Sequence, residues 1–403
     1  MSSSLDRPSK VLFVITFFWA LILMVGCQPP SPTPPPVLTL TPVVDQDVGL
    51  ALSAYAEDET ERQLAQESGA GWDRLPMWWH TIHDRTTGEL HPETYDAILS
   101  REPLSNVLAV LTSRSTYPGV VGLDIECVTR VRTGAASPKY WDGQYGFCAT
   151  YQGYVYDYES ESLVSSEPPL INGEPNPNNP WAMFVYRTSQ HHSSRVNGWE
   201  IFNEHEAGFD SGWDPECNCE TPIRYTYLPP PKVYARMIRD ALVVLQATNP
   251  GEPTVLGGAW EADAWALAEG RDTGWYAQVL QEINEDAEGL TSVGLHTYGQ
   301  PEASYELITG LQTRTPLPFW LTETGIHIGE PDSKGNCPAS GQPCGSEEEQ
   351  AAYVVQQYIW ALRAFRDTGR PGKVFHFAFK DLDLPWGLLQ TGGPREAYNA
   401  FRF

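Results

Sequence analysis

From about residue 47 onward the chain alternates between short β-rich runs and longer segments of helical character, and the alternation completes eight cycles. The β-rich runs are VGLALS at 48, GWDRLPM at 71, NVLAVLTS at 106, VNGWEIF at 196, PTVLGGAW at 253, TSVGLHTY at 291, PFWLTE at 318 and KVFHFAF at 373. Helices are expected over 57–68, 92–100, 180–193, 231–247, 273–286, 302–312, 347–368 and 394–402. Strands separated by helices pair in parallel, because each crossover returns the chain to the same end of the sheet. Eight units with nothing left over predict an α/β fold, a closed (β/α)8 TIM barrel forming a single domain over residues 45–403. An open doubly wound sheet competes, but no Gly-rich fingerprint follows the first run, which also removes the signal for a nucleotide cofactor. No cofactor is expected.

The N-terminus follows other rules. Arg7 and Lys10 precede an apolar run, Val11 to Gly26, that ends at Cys27. A basic start and an apolar stretch this short make an export signal, not a confident membrane span. The stretch LMVGC resembles the lipobox of bacterial lipoproteins, with Met24 where Leu is more usual. That resemblance implies cleavage before Cys27, acylation of its thiol and a membrane partner reached through the lipid. An ordinary secretory signal and an uncleaved anchor are the alternatives, and all three export the domain. QPPSPTPPPVLTLTP, residues 28–42, favours extended polyproline conformation and serves as a spacer. The expected division is a signal peptide at 1–26, a lipidated Cys and Pro-rich linker at 27–44, and the barrel.

Export bears on the cysteines. Apart from Cys27 there are six, and disulfides persist outside the cytosol. Cys337 with Cys344, and Cys127 with Cys148, would each close a loop, whereas Cys217 and Cys219 stand too near each other to pair comfortably. The connectivity stays open. No His or Cys cluster accompanies the CNC of Cys217 and Cys219, His80 and His83 lack the Glu of a zinc-binding HExxH, and His191 and His192 read as structural or cleft-lining. No metal is therefore expected. A net charge of −25 excludes a nucleic-acid partner, whose phosphates need clustered Lys and Arg; it suits an exported, soluble body with a neutral ligand and no obligate protein partner.

In a barrel of this kind the chemistry sits where the strands end. Those ends supply Arg74, Asn203, Glu204, Trp260, His296, Tyr298 and Glu323. Two of them are carboxylates that face each other across one mouth, the requirement of glycoside hydrolysis. One carboxyl protonates the leaving oxygen and the other attacks or stabilises the oxocarbenium-like carbon. One must be kept protonated while the other is held ionised by donors, and Arg74 and Tyr298 are the donors to hand.

GWEIFNEHE together with PFWLTETG resembles glycoside hydrolase clan A, barrels whose catalytic glutamates end strands four and seven. GAGWDRLPMWW is similar to the clan's second strand and GLHTYG to its sixth; families thirty-nine and five are nearest in style. The resemblance implies a retaining glycosidase acting on β-linked poly- or oligosaccharides. By position it makes Glu204 the acid/base and Glu323 the nucleophile. Asn203 contacts the neighbouring sugar hydroxyl, Arg74 and Tyr298 hold the nucleophile, and His296 lines the cleft. Many clan members carry a platform Trp at the end of strand eight, whereas VFHFAFKDLDLPW has Phe379 and Lys380 there and Trp386 further along. Either Trp386 folds back or the subsite differs. Trp260 is either a sugar-stacking or a core residue, and Glu200, on the face of Glu204 but deeper, reads as structural. A carbohydrate-binding lipoprotein with an inactive barrel is the alternative function. Sugar, linkage and chain-end preference depend on loops 113–179, 205–230 and 325–346.

Overall fold

The computed structural model describes residues 45–402, except 57, 85, 86, 88, 113–153, 158–161, 205–230, 260, 271–274, 285–287, 299, 332–336, 338–342 and 382–384. These residues belong to one compact unit, Pro42–Phe403. Strands β1 (Asp45–Ala51), β2 (Ala70–Trp78), β3 (Asn106–Thr112), β4 (Gly198–Ile201), β5 (Thr254–Ala259), β6 (Ser292–Thr297), β7 (Phe319–Thr324) and β8 (Val374–His376) form a closed barrel in sequence order. All its pairings are parallel, and β1 closes it by pairing with both β2 and β8. The eight β-rich runs of the sequence are these eight strands.

The principal helices are α1 (Glu59–Glu67), α2 (Asp96–Leu99), α3 (Pro180–His192), α4 (Pro231–Thr248), α5 (Trp275–Asn284), α6 (Pro301–Leu311), α7 (Glu347–Thr368) and α8 (Glu396–Phe401). Local chemistry sets their ends. Asn179 caps α3 by accepting from Ala182 N, with Pro180 preset in the first turn. Ser346 and Glu349 form a reciprocal capping box on α7, which Gly369 ends at φ 68°, a conformation that suits glycine. The expected helix at 92–100 is instead a 3-10 turn, Pro92–Tyr95, running into α2. A further helix, Glu261–Ala268, was not expected, because its apolar residues do not gather on one face.

Near the N-terminal ends of the strands Trp72, Leu108, Val255, Trp320 and Phe375 plug the barrel. Gly49 makes this possible, since a Cβ there would lie 2.4 Å from the Phe375 ring. Lys373 Nζ lies 4.8 Å from the ring centre of Trp72 and 5.3 Å from that of Trp320. With that end filled, a polar cavity can form only toward the other. The larger core lies between strands and helices, with Trp79, Trp181, Phe184 and Phe202 buried in it. Trp79 stacks on Phe184 at 5.1 Å, so it is a packing residue.

Cys337 and Cys344 form a disulfide. The export signal, Cys27, the Pro-rich linker, Trp260, and Cys127, Cys148, Cys217 and Cys219 lie outside the described residues. Among the described residues no helix is long and apolar enough to cross a membrane.

Candidate active site

Local backbone geometry at the end of β4 decides what faces the barrel. The strand stops at Ile201, and Phe202 and Glu204 then adopt left-handed backbone at φ 68° and 40°. Such conformations cost about 1–3 kcal/mol each in a non-glycine residue and persist only where surroundings hold them. Here Phe202 N donates to Leu111 O, Glu204 N donates to Gly258 O, and the Phe202 ring stacks on Trp181 at 4.5 Å. The turn breaks strict alternation. Glu200 and Asn203, three positions apart, both reach Arg74, which an unbroken strand would forbid.

Arg74 is the centre of the site. It is the fifth of nine residues in β2, so it is not at the end of its own strand as expected from sequence, but it is level with Ala51, the last residue of β1. Its Nε and Nη2 donate to the two oxygens of Glu200 at 2.5 and 3.0 Å. Nη2 also donates to Asn203 Oδ1 at 2.5 Å, and Nη1 to Glu323 Oε1 at 2.5 Å. Burial opposes its charge, but Glu200 and Glu323 outweigh burial and raise its pKa, so it remains a guanidinium. Gly258 N supplies a further donor to Glu200 Oε1 at 3.0 Å. The fully buried Glu200 is thereby satisfied on both oxygens.

Strands β6 and β7 bring the remaining groups together. Their register slips after Leu295, which pairs with Leu321, so that His296 stands beside Glu323 and not Thr322. Glu323 Oε2 accepts a short hydrogen bond from the Tyr298 hydroxyl. His296 Nδ1 lies 2.5 Å from Glu204 Oε1 and 3.6 Å from Glu323 Oε2. One oxygen of Glu204, one of Glu323 and one nitrogen of His296 all lie within 4.8 Å of one another. His296 is enclosed, and burial disfavours its charge; the carboxylates of Glu323 and Glu204 prevail and raise its pKa. Burial and then the same two carboxylates push the Tyr298 hydroxyl well above its usual pKa, keeping it a donor. The absence of a side chain at Gly258 is required here, since a Cβ would lie 2.0 Å from His296 Nε2.

Trp386 resolves the alternative left by the sequence. It folds back onto the site, with its ring centre 5.2 Å from Tyr298, 5.2 Å from His327 and 6.0 Å from Phe377. Gln350 of α7 donates to the carbonyls of Ile326 and Trp386, and Ile328 N donates to Pro385 O. By contrast Phe379 is buried in the outer core, and Lys380 reaches Glu61 at 3.1 Å, so neither belongs to the site.

The structure thus gathers Arg74, Asn203, Glu204, His296, Tyr298, Glu323 and Trp386. Glu200 and Gly258 are additions. Glu200 read as structural because alternation alone measures depth on a face and not which cation lies beside it. Chemically the site offers two carboxylates from facing strands, one held by two donors and the other by an imidazole, in a pocket where charges are strongly felt.

No protein-family model matches the chain, and no curated protein matches it in sequence. Solved structures do match. A family 39 glycoside hydrolase from the gut symbiont Bacteroides cellulosilyticus WH2 aligns at TM-score 0.52 and 14% identity, covering 88% of this chain. This chain spans 62% of the length of that protein. A family 1 β-glucosidase from Thermotoga maritima aligns at TM-score 0.52 and 12% identity, over 86% of this chain and 85% of that one. A family 10 endoxylanase retrieved from sugarcane soil metagenome gives TM-score 0.52 and 12% identity, over 89% and 97%. The barrel is the fold of these glycoside hydrolases. At such identities the likeness is one of fold, and the function rests on the side chains.

Proposed function

We propose that this protein is a retaining glycoside hydrolase that cleaves β-linked poly- or oligosaccharides by double displacement. The observation that carries the reading is the asymmetric support of two close carboxylates. Glu323 is held by Arg74 and Tyr298, and Glu204 by His296. Their nearest oxygens lie within 4.8 Å. That spacing fits the separation of about 5–5.5 Å of retaining enzymes better than the roughly 6.5–9.5 Å that leaves room for water in inverting ones.

In the first step a Glu323 oxygen attacks the anomeric carbon while Glu204 gives its proton to the departing glycosidic oxygen, leaving a glycosyl ester on Glu323. In the second, Glu204 takes a proton from water, whose oxygen attacks the same carbon and releases Glu323. Arg74 and Tyr298 donate to its two oxygens and keep Glu323 aimed. Asn203 has its Oδ1 on Arg74, so its Nδ2 is oriented to donate to a sugar hydroxyl. Trp386 provides the apolar face beside the reacting sugar. Residues 1–26 are read as an export signal removed before Cys27, whose acylated thiol would tether the barrel to a membrane surface.

A mechanism-based fluoroglycoside tests the assignment. Wild type is expected to carry the covalent sugar on the peptide containing Glu323, and Glu323→Ala to carry none. Glu204→Gln should lose about 10²–10⁴-fold in rate on natural leaving groups, and far less on activated aryl ones that need no proton. An adduct on another residue, or an unimpaired Glu204→Gln enzyme, overturns the roles.

A further inference from the structure

We propose that Asp96, His191 and His192 form a binding site for one divalent transition-metal ion, best matched by zinc, on the side of the barrel away from the candidate active site. Strand-following helices run back antiparallel to the strands, so the last turn of α3 lies toward the N-terminal ends of the strands, and Asp96, the first residue of α2, meets it in the helical layer. In barrels of this architecture that end serves stability and the other end serves chemistry.

His192 is the strongest observation. It is only 1% exposed, yet its Nδ1 has no hydrogen-bond partner. Its Nε2 lies 3.0 Å from the carbonyl oxygen of Pro92, to which only a ring N–H can donate. That bond fixes the tautomer and leaves a bare lone pair on Nδ1. A histidine oriented through its far nitrogen by a backbone carbonyl is how proteins prepare imidazole for a metal.

Two further donors meet that lone pair. Asp96 Oδ1 lies 3.8 Å from His192 Nδ1 and 3.0 Å from His191 Nε2, and all three atoms fall within 4.8 Å of one another. Two ligands of a tetrahedral zinc with bonds of about 2.0–2.1 Å stand ~3.3 Å apart, a value these distances bracket. Two imidazoles and a carboxylate suit zinc or a neighbouring transition metal, and do not suit calcium or magnesium. His191 and His192 also occupy the last turn of α3, where the helix dipole favours a cation. The adjoining cleft is lined by Glu93, Arg187, Gln190 and His191. Its two charged ends offset each other, and water would take the remaining coordination position.

A plain His191–Asp96 ion pair would explain 3.0 Å but not the buried, fixed and unpartnered His192 nitrogen. The ligands stand 95 positions apart, so a bound ion would cross-link α3 to the segment before β3. Its effect would be on stability, independent of whether the barrel hydrolyses sugars.

The test is calorimetric titration of ZnCl2 into full-length protein stripped with chelator and dialysed. One ion per chain is expected, with the melting temperature rising by several degrees. Asp96 and His191 are 52% and 37% exposed on their side chains, so Asp96→Asn and His191→Ala should fold, as circular dichroism would verify. Each should weaken binding by roughly 100-fold and remove the thermal shift. Glu204→Gln should leave the zinc isotherm intact. Absence of binding, an isotherm unchanged in both variants, or loss of binding in Glu204→Gln overturns the proposal, the last by assigning the ion to Glu204, His296 and Glu323.

Discussion

Glu200 and Glu323 are held by a single guanidinium: Arg74 gives Nε and Nη2 to the first and Nη1 to the second. A planar fork that is gripped on one edge has its other edge fixed. The deeper carboxylate therefore sets where the donor to Glu323 points, without approaching a substrate itself.

Glu200→Gln should expose that dependence. The amide cannot accept on both atoms, so Arg74 loses its fixed plane and part of its compensating charge in a fully buried setting. The expected result is a fall in kcat of about 10–100-fold with KM changed little, since the loss is one of aim at the reacting centre. Truncation to Ala should also destabilise the fold by about 3–5 kcal/mol, the range for breaking a buried pair from one side. Steady-state kinetics with urea denaturation would check both. A Glu200→Gln enzyme within twofold of wild type in kcat would make the residue merely structural.

His296 and Glu204 should set the alkaline limb of activity. His296 Nδ1 and Glu204 Oε1 lie 2.5 Å apart, a contact along which the proton that the acid step delivers to the leaving oxygen can pass. Because Glu323 and Glu204 overcome burial and raise the pKa of His296, that proton persists above the usual imidazole range and is lost only as pH passes the raised value. The kcat/KM profile should therefore hold through neutral pH and fall on the alkaline side. In His296→Asn the limb should move to lower pH, because the proton is then held by a carboxyl alone, whose ordinary pKa lies below that of imidazole. An alkaline limb at the same pH in both proteins would remove His296 from this role.

Sequence and structure agree most where one strand carries its own information. The run PFWLTE yields β7 and Glu323 directly, since a short apolar strand ending in a carboxylate needs no partner to be recognised. Arg74 is legible as a donor, but its height is not, because β2 runs four residues past it while β1 ends level with it, a matter of register between two strands. Alternation along WEIFNE failed after Ile201, where left-handed Phe202 and Glu204 rotate Asn203 onto the face of Glu200. The β6–β7 register slip that sets His296 beside Glu323, and the return of Trp386, are properties of neighbouring strands and loops. No local pattern carries them.

Trp386 gives a prediction about the loops that hold it. His327 packs edge-on with its ring, and His327 Nδ1 is 2.8 Å from Cys337 Sγ of the Cys337–Cys344 disulfide. The disulfide, the histidine and the tryptophan form one packed series leading to Tyr298. Trp386→Ala should raise KM about tenfold, the order of one lost ring contact, with a smaller change in kcat. Replacing both cysteines by serine should raise KM severalfold by loosening the support, with the tryptophan near-UV dichroism weakened. Unchanged KM in Trp386→Ala would mean that the sugar rests elsewhere.

Asp73 and Glu102 predict how stability responds to pH. Asp73 is wholly buried on β2 and accepts from Ser53 N and Ala54 N at 2.8 and 3.0 Å, while Glu102 accepts from Leu104 N at 2.9 Å. Burial, and then the charge of Asp73, pushes Glu102 up to about 10, and burial also raises Asp73. The folded pair thus retains a proton that the unfolded chain releases near the ordinary carboxylate pKa. Its stabilising contribution is complete below that value and declines as pH rises toward 10. Glu102→Gln supplies a permanent N–H toward Asp73 in place of the shared proton. It should raise stability at pH 8 by on the order of 1 kcal/mol and flatten the dependence between pH ~5 and 9. Thermal melts of both proteins across that range would show the curves meeting at acid pH and separating above it; parallel curves would mean that the pair holds no proton.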